Sequence, residues 1–188
     1  MKERRILGVD DSIVDFSSPY TDVVGILMRN GGYIEGVLWG RISVDGDDST
    51  AVLSEMILSS RFREQINLIM LDGFALGGFN IVDIDELNKV TGIPVVTFTL
   101  KVPSPPNIER ALKGKVQGWE EKLELISRRK VDRIEIRGRE AYISRAGIGL
   151  DEALKMIDSS IVRGFTPEPL RVAHLVASAL GRGESTQR

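Results

Sequence analysis

The order of the apolar runs restricts the fold of this chain more than any other feature. Three strand-like runs come first: Arg4 to Asp11, Thr21 to Arg29 and Tyr33 to Val44. The second (TDVVGILMR) is almost continuously apolar, as a strand buried on both faces would be. Asn30-Gly31-Gly32 is a hairpin turn between the second and third runs, so the three are expected as an antiparallel meander. The pattern then changes. A helix over Asp48–Ser60, with Ala51, Val52, Met56 and Ile57 at helical spacing, leads to a fourth strand at Ile66–Asp72. A second helix, Ile81–Val90, stops at Thr91-Gly92 and leads to a fifth strand at Ile93–Thr99. Such helical crossovers are right-handed and make the later strands parallel. The expected architecture is α/β: a mixed five-stranded sheet, three antiparallel strands and then two parallel ones, flanked by helices. This is the RNase H-like layout.

Beyond the fifth strand, Lys101-Val-Pro-Ser-Pro-Pro reads as a stiff connector. Residues 107–130 read as charged helix, and Val131 to Ser144 as a small hairpin around Arg137-Gly138. Two helices close the chain, one near Leu150–Val162 and one from Pro167 to Leu180, with a frayed tail at 181–188. The length of 188 residues suits one domain, 1–188, carrying a basic helical and hairpin segment at about 101–145.

Composition narrows the chemistry. There is no cysteine and one histidine, His174, which excludes a disulfide framework, a thiolate nucleophile, a three-histidine zinc site and HExxH. Any metal must be held mainly by carboxylates and be a hard one, magnesium or manganese. The apolar run Ile6–Val9 is too short for a signal peptide or a membrane span, so a cytoplasmic protein with no membrane partner is expected. The net charge of -2 hides an asymmetry. Residues 1–100 carry 8 Lys+Arg and 15 Asp+Glu, whereas residues 101–145 carry 12 and 7. An acidic half beside a basic segment matches a metal site next to a phosphate-tracking surface, and equally a solvated, salt-bridged surface.

The carboxylates supply the candidate site. Asp10 ends the first strand and Asp72 the fourth, which are neighbours in the expected sheet. Ligands of α/β sheets bind outside strand ends. Two acids brought together there repel each other, and a divalent cation removes that penalty. Asp45, Asp47 and Asp48, between the third strand and the first helix, are placed to add a third ligand from the side. Two hard cations held by such a cluster activate a water and stabilise a leaving oxygen. Taken singly, Asp72-Gly73 and Asp45-Gly46 are also turn dipeptides, Asp48 or Ser49 is a plausible helix N-cap, and Asp11 is either a ligand or solvent-facing. The glycine cluster at 73–80 lacks the GK[ST] of a phosphate loop.

Five motifs taken together resemble one family. They are Val9-Asp10-Asp11, the acidic turn Val44 to Thr50 (VDGDDST), Leu71-Asp72-Gly73, Gly78 to Asp83 (GFNIVD) and Pro167 to His174 (PEPLRVAH). The set is similar to the archaeal family known as DUF99 or UPF0215, relatives of endonuclease V with its RNase H-like fold. The resemblance spans nearly the whole chain. It implies magnesium at Asp10 and Asp72, His174 brought toward the metal by the last helix, and Lys101 placed against a phosphate. It also shows departures. The endonuclease V wedge and catalytic glutamate are replaced by the Asp45–Thr50 turn, with Asp45 or Asp48 left as a substitute ligand. Two family histidines are missing, at Phe74–Asn80 and at Gly147-Ile148. Members of the family have been named deoxyuridine-specific endonucleases.

Other residues have candidate roles in binding nucleic acid. Lys101, Arg110 and Lys113 are expected to track a phosphate backbone, along with Lys115, Arg128, Arg129 and Lys130. Phe74 and Phe79, with Asn80 in the same loop, are placed to stack on an extruded base or to pack in the core. Trp119 stacks on a base or packs its helix. Arg171 holds either Glu168 or a phosphate, and His174 is a catalytic or a packed residue. The expected activity is metal-dependent cleavage of DNA containing deaminated bases, uracil first and hypoxanthine next. The alternatives are an inactive nucleic-acid-binding protein, a ribonuclease acting on inosine-containing RNA and a small-molecule phosphohydrolase.

Overall fold

A computed structural model describes residues 4–29, 32–101, 105–114, 116 and 118–185. The Asn30-Gly31 turn, most of the connector after Lys101 and Lys115 lie outside those residues. The meander is present as β1 (Arg5–Asp11), β2 (Tyr20–Arg29) and β3 (Tyr33–Ser43), with α1 at Ser49–Leu58 leading to β4 (Leu68–Asp72). A two-residue-per-strand hairpin follows, β5 (Ala75–Leu76) and β6 (Asn80–Ile81). Then come α2 (Ile84–Thr91) and β7 (Val95–Thr99), α3 (Pro105–Lys113) and α4 (Trp119–Ser127). The chain ends with β8 (Asp132–Ile136), β9 (Arg139–Ala146), α5 (Leu150–Ser160) and α6 (Glu168–Arg182).

The sheet order is β3-β2-β1-β4-β7-β9-β8. The first five positions are those expected: β1 is antiparallel to β2 and parallel to β4, and β4 is parallel to β7. The hairpin expected beside the sheet instead extends it to seven strands, because β9 pairs antiparallel with β7 from Val95↔Ala146 to Thr99↔Tyr142. An edge strand offers a row of unpaired backbone groups, and the β9 residues Ala141 and Ile143 bury on the same face as Val96 and Phe98.

Helix α2 begins at Ile84, three residues later than the apolar pattern alone suggested. Asp83 caps it by accepting hydrogen bonds from the backbone N–H groups of Asp85 and Glu86, and Gly92 (φ 71°) closes it. Helix α6 begins at Glu168 after Pro167, with Pro169 in its first turn, where a missing N–H costs nothing.

Helices cover both faces of the sheet. Leu7 and Val9 of β1 and Ile69 and Leu71 of β4 pack with Leu53 and Ile57 of α1 and Leu87 of α2. On the other face, Ile6, Leu68 and Met70 pack with Met156 and Ile157 of α5 and Leu170 of α6. Strand alternation thus sends odd residues of β1 toward α1 and α2 and even ones toward α5 and α6. Helix α6 also lays Ala173 and Ala177 on Val24, Ile26 and Met28 of β2. Its approach to β1 is close enough that a Cβ on Gly8 would lie 2.3 Å from the Pro169 carbonyl carbon. Gly8 is therefore required by the helix and not by its own backbone. Gly8→Ala is expected to lower stability by about 1–3 kcal/mol, the usual cost of overpacking. Urea denaturation measures it, and a loss under about 0.5 kcal/mol would show that α6 moves away freely.

Candidate active site

The Val9↔Leu71 pairing, continued one residue, sets Asp10 beside Asp72 at the ends of parallel neighbours β1 and β4. Both are even-numbered residues on the α5/α6 face, so their side chains share a side. Helix α6 supplies the third group. His174 lies one helical turn after Leu170, and its Nδ1 lies 2.8 Å from Asp10 Oδ2. One ligand atom from each of Asp10, Asp72 and His174 lies within 4.8 Å of the other two. Asp10 is buried, and its Oδ1 accepts a hydrogen bond from the Asp11 N–H at 2.9 Å. The Ser178 hydroxyl is 3.4 Å from His174 Nε2, one helical turn further along. An Nδ1–H donated to Asp10 with Nε2 facing the hydroxyl is one tautomer consistent with these partners.

Two carboxylates and an imidazole so close are the donor set of a divalent cation that takes oxygen and nitrogen ligands. The burial of Asp10 strengthens the case, because a buried carboxylate beside a second one needs a cation to offset the repulsion. His174 fits in either of two ways. It can ligate directly, or it can hold the Asp10 carboxylate in place from outside the ligand shell.

The other acidic candidates are used elsewhere. Asp45 takes a left-handed backbone (φ 54°), and its Oδ1 accepts from the Phe79 N–H at 2.8 Å. Asp48 accepts from the Ser43 N–H and hydroxyl and, at 2.6 Å, from Asn80 Nδ2. Asp47 pairs with the buried ammonium of Lys122, which also donates to the Phe79 carbonyl at 2.9 Å. Asp11 faces the opposite side of β1 from Asp10, and its Oδ2 accepts from the Gly77 N–H at 2.8 Å. Burial pushes its carboxyl above the ordinary range, and the charge of Asp72 adds to the rise. Among the described residues, the metal-ligating cluster contains neither Asp45 nor Asp48.

Asn80, expected to touch nucleic acid, is fully buried. Its Nδ2 donates to the Ser43 carbonyl at 2.9 Å as well as to Asp48, and its Oδ1 accepts from the Ser49 N–H. Both ends of the amide therefore hold the acidic turn to the β5–β6 hairpin, which is a role inside the fold. Phe74 lies under the Arg129 guanidinium, 5.8 Å from its ring centroid. Burial lowers the Arg129 pKa to about 10, so it stays charged at neutral pH. Arg110 is exposed on α3, and Lys113 pairs with Glu109 and covers the Trp119 ring.

A cleft of about 520 Å³ opens beside the acids and the imidazole. Asp72 and His174 lie in its wall with four cationic side chains, Lys101, Arg139, Arg163 and Arg171. Its apolar lining comes from Phe98, Leu100, Phe165, Leu170 and Leu175. The sequence pointed to Asp72, Lys101, Arg171 and His174 but missed Arg139, Arg163, Phe165 and Ser178. Only Ser178, four residues after His174, carried a readable signal. Arg171 is bound by Glu168 through Nε at 2.8 Å, and that pairing holds the Glu168 carboxyl below its ordinary range. The other terminal nitrogen of Arg171, Nη1, is buried and makes no hydrogen bond within the protein.

This sheet order, with helices on both faces and acids at the ends of adjacent parallel strands, defines an RNase H-like fold of the endonuclease V type. Human ENDOV superimposes with a TM-score of 0.60 at 17% identity over 96% of this chain and 83% of that one. Endonuclease V of Ciona intestinalis, in complex with a 24mer DNA containing an inosine followed by a ribo-adenosine, gives 0.58 at 10% identity over 92% and 83%. The chain itself belongs to the endonuclease dU family, whose profile matches residues 2–181. The UPF0215 protein of Methanothermobacter thermautotrophicus is 42% identical over 97% of this chain and 90% of its own length. A protein of unknown function from Archaeoglobus fulgidus is 38% identical with a TM-score of 0.85, covering 94% of this chain and 98% of that one.

The Asp48 carboxylate offers a test of the acidic turn. Burial raises its pKa, but the hydrogen bonds from Ser43 and Asn80 outweigh this and hold it below 3.8. Its stabilising effect is therefore present above that value and lost as pH falls through the lower folded-state pKa. Asp48→Asn is expected to cost about 1–2 kcal/mol near pH 6. The deficit relative to wild type should shrink on acidification below pH 3.8. Urea titrations across that range check it, and a deficit independent of pH would contradict the assignment.

Proposed function

We propose that this chain is a metal-dependent endonuclease that cleaves phosphodiester bonds in DNA containing deaminated bases, with uracil the first substrate and hypoxanthine the second. The observation that carries the reading is the cluster of Asp10, Asp72 and His174, two of which, Asp72 and His174, stand on the wall of a cationic cleft, in a chain of the endonuclease dU family. No helix among the described residues is long and apolar enough to cross a membrane, and a cytoplasmic role in DNA repair accords with this reading.

Asp10 and Asp72 would hold magnesium or manganese, with His174 as a further ligand or as the group that orients Asp10. Such a cation supplies Lewis-acid stabilisation of the charge that develops on the phosphate and activates an attacking water. The remaining work falls to the side chains. Lys101 neutralises phosphate charge at the end of β7. Arg171, its guanidinium fixed by Glu168, is one of the cationic side chains on the cleft wall that the nucleic acid would face. The packed wall of α6 and β1 excludes water from the buried Asp10 and keeps its carboxylate in one orientation. The positions of Asp45 and Asp48 favour one rival reading, a nucleic-acid-binding protein without catalysis, and the same experiment separates the two.

End-labelled oligonucleotides carrying one uracil or one hypoxanthine, as DNA and as RNA, are incubated with magnesium, manganese or a chelator. Metal-dependent scission of uracil-containing DNA is expected. Asp10→Asn and Asp72→Asn should each lose at least about a hundredfold in rate, given several kcal/mol of metal-assisted stabilisation. Binding without scission under every metal would support the rival, and an Asp10→Asn variant as active as wild type would exclude the proposed site.

A further inference from the structure

A cleft that handles only phosphates needs cations and water, yet this one also has an apolar lining. Phe98, Leu100, Leu170 and Leu175 line it together with the cations. Its volume of about 520 Å³ falls within the usual size of small-ligand sites. Phe165 stands on its wall at 37% exposure. It follows Gly164, whose φ of +64° makes a turn that other residues rarely adopt. The Arg139 guanidinium lies 5.1 Å from the Phe165 ring centroid, so one face of the ring is already braced by a cation. Arg139 opens β9, so the hairpin that extends the sheet also delivers this brace.

The cations Arg139, Arg163, Lys101 and Arg171 are donors only and outnumber the acceptor Asp72, while His174 and the Thr99 and Thr166 hydroxyls can act either way. Deamination replaces an amino donor on a base by a carbonyl acceptor, which is the change a donor-rich wall detects. The aromatic residues that the sequence had put forward are placed otherwise. Neither Phe74 nor Phe79 lines the cleft, and the Phe79 backbone is tied at both ends to Asp45 and Lys122.

We infer that this cleft seats one unstacked, carbonyl-bearing nucleobase, with Phe165 as its stacking surface, Arg139 as the brace behind that ring and the cationic lining as the source of donors to the base carbonyl. The inference rests on the proposed nuclease reading and adds the place where the base is read.

The test uses the full chain and calcium, to observe binding apart from cleavage. Fluorescein-labelled single-stranded DNA carries deoxyuridine, deoxycytidine or an abasic tetrahydrofuran at one position, and anisotropy gives the affinities. Wild type should bind the deoxyuridine strand about tenfold more tightly than the abasic one, the scale of one stacked base. Phe165→Ala should bring that ratio to within about twofold, and Phe165→Trp should restore it. A wild-type protein indifferent to the base, or a Phe165→Ala ratio equal to wild type, overturns the inference while metal-dependent cutting leaves the nuclease reading standing. Photocrosslinking of wild type to a 5-iododeoxyuridine strand needs no variant. Attachment at Phe165 supports the inference, and attachment at Phe74 or Phe79 overturns it. A chain that neither binds nor cuts any strand removes both readings together.

Discussion

The structure depends on how closely α6 lies against β1. Gly8 leaves room for the Pro169 backbone, and Ala173 and Ala177 let the next turns settle on β2. That contact buries the apolar stripe of the helix, which is the main favourable term available to it. It also fixes His174 at 2.8 Å from Asp10, across 164 residues of sequence. Two carboxylates and an imidazole would not gather so closely of their own accord, since burying charge without a partner is unfavourable. Packing elsewhere in the helix holds them together, so the site is preorganised by hydrophobic burial that the chemistry itself does not supply.

Strand alternation then divides the acids between two environments. Asp10 and Asp72 emerge on the α5/α6 face, where Asp72 lines the cleft and Asp10 lies buried beside His174, whereas Asp11, one residue away, emerges on the other face and bonds Gly77. The acidic turn belongs with that second face. Lys122, Asn80 and the backbone of Phe79 bind Asp47, Asp48 and Asp45 respectively, and so clamp α4, the β5–β6 hairpin and the start of α1 into one unit. A cluster of aspartates near strand ends looks uniform in one dimension. In three dimensions it separates into groups that gather around a shared centre and groups that satisfy donors within the fold.

How much of this was legible follows the range of the interactions. Strands β1 to β4 and β7, with α1 and α2 between them, were readable because apolar runs and turn residues are local signals, and crossover handedness converts their order into topology; the short β5–β6 hairpin was not. The pairing of Asp10 with Asp72 followed from that topology, and His174 was singled out by its PEPLRVAH context. The sequence did not show that β9 would complete the edge beside β7, since nothing local distinguishes a free hairpin from one that joins a sheet. It did not show that Asn80 is buried with its amide fully bonded, because the partners Ser43, Asp48 and Ser49 lie more than 30 residues away. Arg110 and Lys113 looked like backbone contacts by charge alone, while the cations lining the cleft include Arg139, one unremarked residue of the basic segment, and Arg163, from a stretch that gave no signal.

The sequence by itself thus determined the α/β layout, the exclusion of cysteine-based and multi-histidine chemistry, and the carboxylate pair at adjacent strand ends. Each of these is written in composition or in periodicity along the chain. The tertiary structure decided which acids share a face with His174, which are taken up by backbone and lysine donors, and which cations and aromatic ring border the cleft. Those outcomes depend on where distant segments meet, and it is the packing of α6 on β1 and of β9 on β7 that sets those meetings.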